Sequence, residues 1–238
     1  MAAEAGQTKS WWVIVGGRSR LGRALAEDLA RDHSLVLTSS RDWAGESWPA
    51  ALGARTLLWD AEDPQLHVRM ATDLEALGAE GLRLDGAVLV AGTFPEQPLG
   101  TWTPDGMQST LRANLMFPML AAQALAPRLA EGACLQLIVD SAIHKPFLKR
   151  LPYTAAKAGQ AALVPGLARA LAPRVRVVGH ALGTALPGDH DDVEALKKAN
   201  LLGRIGSPAD LARALRYAAG SPYLTGEILT LDGGWSIK

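Results

Sequence analysis

LQLIVDSAIHKPFLKRLPYTAAK, residues 135–157, decides how the chain is read. Leu135-Gln136-Leu137-Ile138-Val139 reads as a buried strand that ends at Asp140-Ser141. A loop follows, then a helix carrying Tyr153 and Lys157 four residues apart and so on one face. A phenol with an ordinary pKa of about 10 is a poor acid or base near neutrality. An adjacent ammonium favours its charged form, so the pair can pass a proton to or from a bound substrate. Taken alone, the spacing fits a surface tyrosine beside a solvated lysine more often than a site. The remainder of the chain has to decide.

Working outward, strands and helices alternate from end to end. Strands are expected at 11–15, 34–39, 55–59, 85–91, 135–140, 175–179 and 227–231. Helices are expected at about 21–30, 64–78, 104–129, 153–171 and 208–219, the fourth kinked at Pro165-Gly166. Residues 42–54 read as loop, and 183–207 mix Gly, Pro and charge around a short helix near 191–201. The strands are continuously apolar, as in a parallel sheet covered on both faces. The chain therefore reads as an α/β protein with one doubly wound domain over 11–238, preceded by a disordered tail over 1–10. Ligands of such a sheet gather at the C-terminal ends of its strands.

Composition narrows the partners. Lys+Arg and Asp+Glu both number 24, so the formal net charge is zero and no electrostatic case exists for nucleic acid. No apolar stretch reaches the roughly 18 residues a membrane helix needs, and 1–10 is too polar for a signal peptide. The single cysteine, Cys134, excludes an internal disulfide framework and fits core packing in a reducing compartment. A soluble, cytoplasmic protein is expected. The five histidines have no metal-ligand spacing, and no metal is expected; His144 reads as a loop residue and His180 as a packed strand-end residue.

Gly16-Gly17-Arg18-Ser19-Arg20-Leu21-Gly22 lies between a strand and a helix, where a pyrophosphate can rest on backbone N–H groups. The GxGxxG spacing is absent, and a plain sharp turn is the alternative. Arg18 and Arg20 add cations where phosphate oxygens would lie. At the end of the second strand, Ser39-Ser40-Arg41 offers hydroxyls and an arginine rather than the acid that suits an unphosphorylated ribose. NADPH is therefore the expected cofactor, although Asp42 follows directly. Asp60, ending the third strand, is placed to accept from the adenine amine or to cap its own loop.

Together with LTGEILTLDGGW near the C-terminal end, these residues resemble the short-chain dehydrogenase/reductase family over about 11–236. The resemblance implies a Rossmann-type, three-layer α/β/α domain binding NADP(H), a catalytic pair at Tyr153 and Lys157, and a proton-relay asparagine at Asn114 in LRANLMFP. It also implies a homotetramer. The family's third turn glycine is Arg20 here, and its serine, thirteen positions before the tyrosine, is Asp140. Both departures look like the pteridine reductases and the bacterial dihydromonapterin reductases, which reduce dihydropterins and in some cases dihydrofolate. In the former an aromatic residue just after the fourth strand stacks on the pterin, and Phe94 matches it. Asn-Ala-Gly of the family is Val90-Ala91-Gly92, and its Pro-Gly after strand six is Leu182-Gly183.

The resemblance thus implies reduction of a small-molecule pterin or folate. The substrate would be held by Arg20, Phe94, Asp140 and Tyr153, beneath a loop at about 184–203. A carboxyl near a phenol can accept from an amino-pyrimidine edge or, with its pKa raised by burial, supply a proton. A ketone offers only an acceptor oxygen, which a serine hydroxyl suits better. Three alternatives stay open: Asp140 as a loop cap with Ser141 doing the serine's work, Phe94 as packing, and a carbonyl reductase or non-catalytic NADP-binding regulator on the same fold.

Overall fold

The structure, a computed structural model, describes residues 10–238; the expected tail over 1–10 lies outside them except for Ser10, whose carbonyl accepts from Ser34 N. Seven parallel strands form one sheet in the order β3-β2-β1-β4-β5-β6-β7. They are β1 (Trp11–Val15), β2 (Ser34–Ser39), β3 (Arg55–Leu58), β4 (Leu84–Leu89), β5 (Leu129–Asp140), β6 (Arg176–Leu182) and β7 (Ile228–Leu231). The helices are α1 (Arg20–Leu29), α2 (Trp48–Ala51), α3 (Leu66–Ala79), α4 (Pro104–Leu111), α5 (Phe117–Leu125), α6 (Leu151–Leu171), α7 (Val193–Ala199) and α8 (Pro208–Gly220). The order reverses direction between β1 and β4, which opens a crevice at the C-terminal edge.

Why the strands are apolar throughout is visible in β1. Trp12 and Ile14 pack with Leu25, Leu29, Leu211 and Leu215 of α1 and α8, whereas Val13 and Val15 pack with Met70, Leu74 and Leu125 of α3 and α5. Alternate side chains point to opposite faces, and both faces are covered. Each fully buried leucine contributes about 1.5–3 kcal/mol relative to exposure. Cys134 is buried, as expected, and burial pushes its thiol up to about 11. Gln136 on β5 is a polar exception, satisfied by His180 Nε2 at 2.8 Å and by its own amide donating to Leu215 O at 3.2 Å.

Boundaries differ from expectation in three informative places. The helix expected over 104–129 is two helices joined by a π-helical turn at Arg112–Met116. It ends at Leu125 because Pro127 lies in a 3-10 turn, Ala126–Arg128, and β5 starts six residues early, at Leu129. The helix carrying Tyr153 runs to Leu171, as expected, but starts at Leu151, with Pro165 inside it.

Candidate active site

The turn after β1 is built for close approach. Gly16 has φ 91, a left-handed conformation that an L side chain rarely adopts, and a Cβ there would meet the Ala91 backbone at 2.8 Å. A Cβ at Gly22 would stand 2.2 Å from Gly16 O. Ser19 caps α1, accepting from Gly22 N and donating to Gly16 O, so its hydroxyl locks the turn while the N–H groups of Arg20 and Leu21 are left to serve a ligand.

Two grooves meet at this turn. The first, about 400 Å3, is lined by Gly16, Arg18, Ser19, Ser40, Arg41, Asp60, Ala91 and Gly92. Asp42 does not line it, and its carboxylate accepts from Ala44 N at 2.8 Å. The second, about 550 Å3, is lined by Arg20, Leu21, Gly92, Phe94, Asn114, Asp140, Tyr153, Lys157 and Gly183. Every residue expected at the site thus lies along one crevice. The two turn arginines diverge, however. Arg18 is bound by Glu46 at 2.8 Å and by the Asp42 carbonyl, while Arg20 reaches across the second groove to Pro187 O at 3.0 Å. Asp60 also caps its own loop at Glu62 N.

At the centre, Tyr153 donates to Asp140 Oδ2 at 2.7 Å, and Asp140 Oδ1 accepts from Ala142 N at 2.7 Å. Burial pushes the Asp140 carboxyl above its usual range. Burial, and then the neighbouring carboxylate, push the Tyr153 phenol well up. Ser141 lies buried in the 3-10 turn that follows, and its Oγ has no hydrogen-bond partner. The carboxyl, not the serine hydroxyl, therefore faces the phenol. Lys157 is buried on the same helix and donates to Ile138 O and to Gln160 Oε1, both at 2.9 Å. Burial lowers its ammonium to about 8.

Asn114 sits inside the π turn. Its Oδ1 accepts from Thr93 N at 3.1 Å and its amide donates to Thr110 O at 3.0 Å, which staples the loop after β4. Gly92 is required beneath it, because a Cβ would meet Asn114 Oδ1 at 2.5 Å. Phe94 lies edge-on to Tyr153, centroids 4.8 Å apart, and is half exposed, with the Arg150 guanidinium 4.0 Å from its centroid. Arg150, Phe147, Trp235 and Gln160 belong to this environment and were missed from sequence. Of these, Gln160 alone had a local signal, its place three residues after Lys157. Residues 184–203 do flank the second groove, through Thr184, Leu186, Asp191, Leu196 and Asn200.

Comparison with known proteins agrees with this geometry. A family model described as "Enoyl-(Acyl carrier protein) reductase" matches residues 16–236. The chain belongs to the short-chain dehydrogenase/reductase family and is an oxidoreductase of that family, with the nicotinamide dinucleotide site of that fold. It is 30% identical over 231 residues to carbonyl reductase family member 4 of Danio rerio, covering 93% of this chain and 96% of that one. It is 29% identical over 231 residues to a human 3-oxoacyl-[acyl-carrier-protein] reductase, covering 93% and 95%. A short-chain dehydrogenase/reductase from Serratia marcescens superposes with a TM-score of 0.86 over 96% of this chain and 99% of that one, at 23% identity, a likeness of fold.

The crevice fits such a cofactor on its own evidence: two glycines whose missing Cβ atoms leave backbone approachable, a helix N-terminus, and hydroxyl and guanidinium groups at the far end. Among the described residues, no group of His, Cys, Asp and Glu is placed to hold a metal, and no helix is long and apolar enough to cross a membrane.

Proposed function

We propose that the protein is an NADPH-dependent reductase of a C=N bond in a planar heterocycle, a dihydropterin or dihydrofolate. The observation that carries this reading is the 2.7 Å contact between Asp140 and the Tyr153 hydroxyl, a bond that Ser141, although it lines the same groove, does not make. Gly16, Ser19, Ser40, Arg41, Asp60, Ala91, Gly92 and Gly183 would hold the cofactor, which supplies the hydride. Ser40 and Arg41 line the adenosine end while the Asp42 carboxylate is engaged by its own loop, an arrangement suited to a 2′-phosphate.

In the second groove the residues supply position and a proton. Phe94 offers a half-exposed ring for offset stacking. Tyr153 gives its proton to the ring nitrogen as the adjacent carbon is reduced, and the resulting phenolate is held by the Lys157 ammonium and reprotonated from solvent through Asp140. A carboxyl kept partly protonated by burial is suited to that relay. The same carboxyl, ionised, accepts from an amino-pyrimidine edge, which a ketone lacks. A homotetramer is part of this proposal and rests on family resemblance alone.

The names of the relatives favour a second reading, reduction of a ketone by the same phenol and ammonium. Initial rates with 7,8-dihydrobiopterin, 7,8-dihydrofolate, acetoacetyl thioesters and aryl ketones at saturating NADPH separate the two. Turnover confined to ketones and thioesters overturns the first.

A further inference from the structure

We infer that Gln160 is a positioning residue for Lys157: its side-chain oxygen holds the buried ammonium charged and leaves the third N–H directed at the groove. The inference rests on the phenol–ammonium reading above but on none of the substrate assignments. Gln160 is fully buried on α6, three residues after Lys157, and its Oε1 lies 2.9 Å from Lys157 Nζ. Ile138 O, at 2.9 Å, takes a second N–H. An ammonium has three donors, and the fixed carbonyl and carboxamide oxygens replace the water that burial removes.

The other end of the Gln160 side chain sharpens the point. Its Nε2 is buried without a hydrogen-bond partner. A buried amide N–H left unsatisfied is destabilising, and a leucine at the same place would avoid it. The carboxamide is oriented by the ammonium alone, since its NH2 group offers a cation nothing. A buried side chain whose one hydrogen bond is to Lys157 acts through Lys157.

The other polar groups around the ammonium have different roles. On β5 the Asp140 carboxylate adds attraction. On α6, Tyr153 has its ring centroid 5.9 Å from Nζ, and its hydroxyl is engaged by Asp140. On the π turn Asn114 is neutral and committed to Thr93 and Thr110. Gln160 is therefore the side chain that bonds the ammonium directly.

The test is an NMR titration of the 13Cε-labelled lysines, of which the chain has seven, in wild-type protein and in Gln160→Leu and Gln160→Glu. One resonance, assigned by its loss in Lys157→Met, should titrate far below the others. In Gln160→Leu it should move down by about one pH unit, and in Gln160→Glu up by about one. Were the glutamine purely structural, Gln160→Leu would lower the melting temperature and leave this midpoint alone. An unmoved midpoint in Gln160→Leu overturns the inference, and if that variant does not fold, Gln160→Met, which keeps the length and removes the amide oxygen, decides; Gln160→Glu only confirms that position 160 reaches the ammonium. Turnover retained by Lys157→Met would instead sink the phenol–ammonium reading, so the two failures are told apart.

Discussion

The Tyr153 hydroxyl in the first turn of α6 donates across 2.7 Å to the Asp140 carboxylate at the end of β5, and burial raises both acids. Tyr153→Phe removes the donor while keeping the ring. Turnover should fall by roughly 10²–10⁴-fold, with NADPH affinity within about threefold, as stopped-flow rates and fluorescence titration would show. Asp140→Ser should lower kcat/KM on dihydropterins by at least about tenfold. Full dihydropterin turnover in that variant would remove Asp140 from the chemistry.

The alkaline side of the pH profile belongs to Lys157. Its ammonium, lowered to about 8 by burial, is charged at neutral pH and neutral above. A phenolate then loses its counter-charge, so kcat/KM should decline as pH rises through about 8. A profile that stays flat well into the alkaline range would show that the ammonium charge is not needed.

Cofactor choice turns on Arg41. Arg41→Asp should reduce NADPH affinity by roughly tenfold or more and improve NADH relative to it, as one charged hydrogen bond is replaced by repulsion. Equal affinities for the two cofactors in the unaltered protein would contradict the assignment.

Gly22→Ala tests the turn. Its Cβ would collide with Gly16 O at 2.2 Å, a backbone atom that has no rotamer to yield. The expected result is loss of dinucleotide binding with a melting temperature lowered by several degrees, about 1–3 kcal/mol of overpacking.

Stability against acid should depend on His180. Burial lowers its imidazole to about 4, below its value in the unfolded chain. The unfolded state therefore takes up a proton first as pH falls below about 6.5, and stability is lost between there and about 4. At pH 5 this amounts to roughly 2 kcal/mol. Urea unfolding at pH 7 and pH 5 should show a smaller loss in His180→Gln than in the parent.

Much of the site was readable in advance because single residue types carried it. Tyr153 and Lys157 follow from a helical spacing, Asp140 from its place in the family resemblance, and the glycines of the turn from the backbone conformations they permit. The paths of Arg18 and Arg20 were not readable. Both line the crevice where cations were expected, Arg20 for substrate as well as phosphate, and their protein partners are Glu46 and Pro187, pairings 28 and 167 residues apart in sequence. Long side chains choose partners only after the chain has folded. The early start of β5 at Leu129 was hidden by Glu131 and Gly132, polar or small residues in an edge-like stretch before the apolar run. The aromatic neighbours Phe147 and Trp235 come together across a loop that no periodicity describes.

The widened turn at Arg112–Met116 divides what would otherwise be one long helix into two segments out of phase. The segment before it leans on α6, and the segment after it leans mainly on α3 and more lightly on α6. Removing a single residue there would wind the two back into step. Asn114 would swing off Thr93, and the strand-four loop that floors the crevice would lose its tether. Chain length at this one helical turn thus helps to set where Asn114 stands in the crevice.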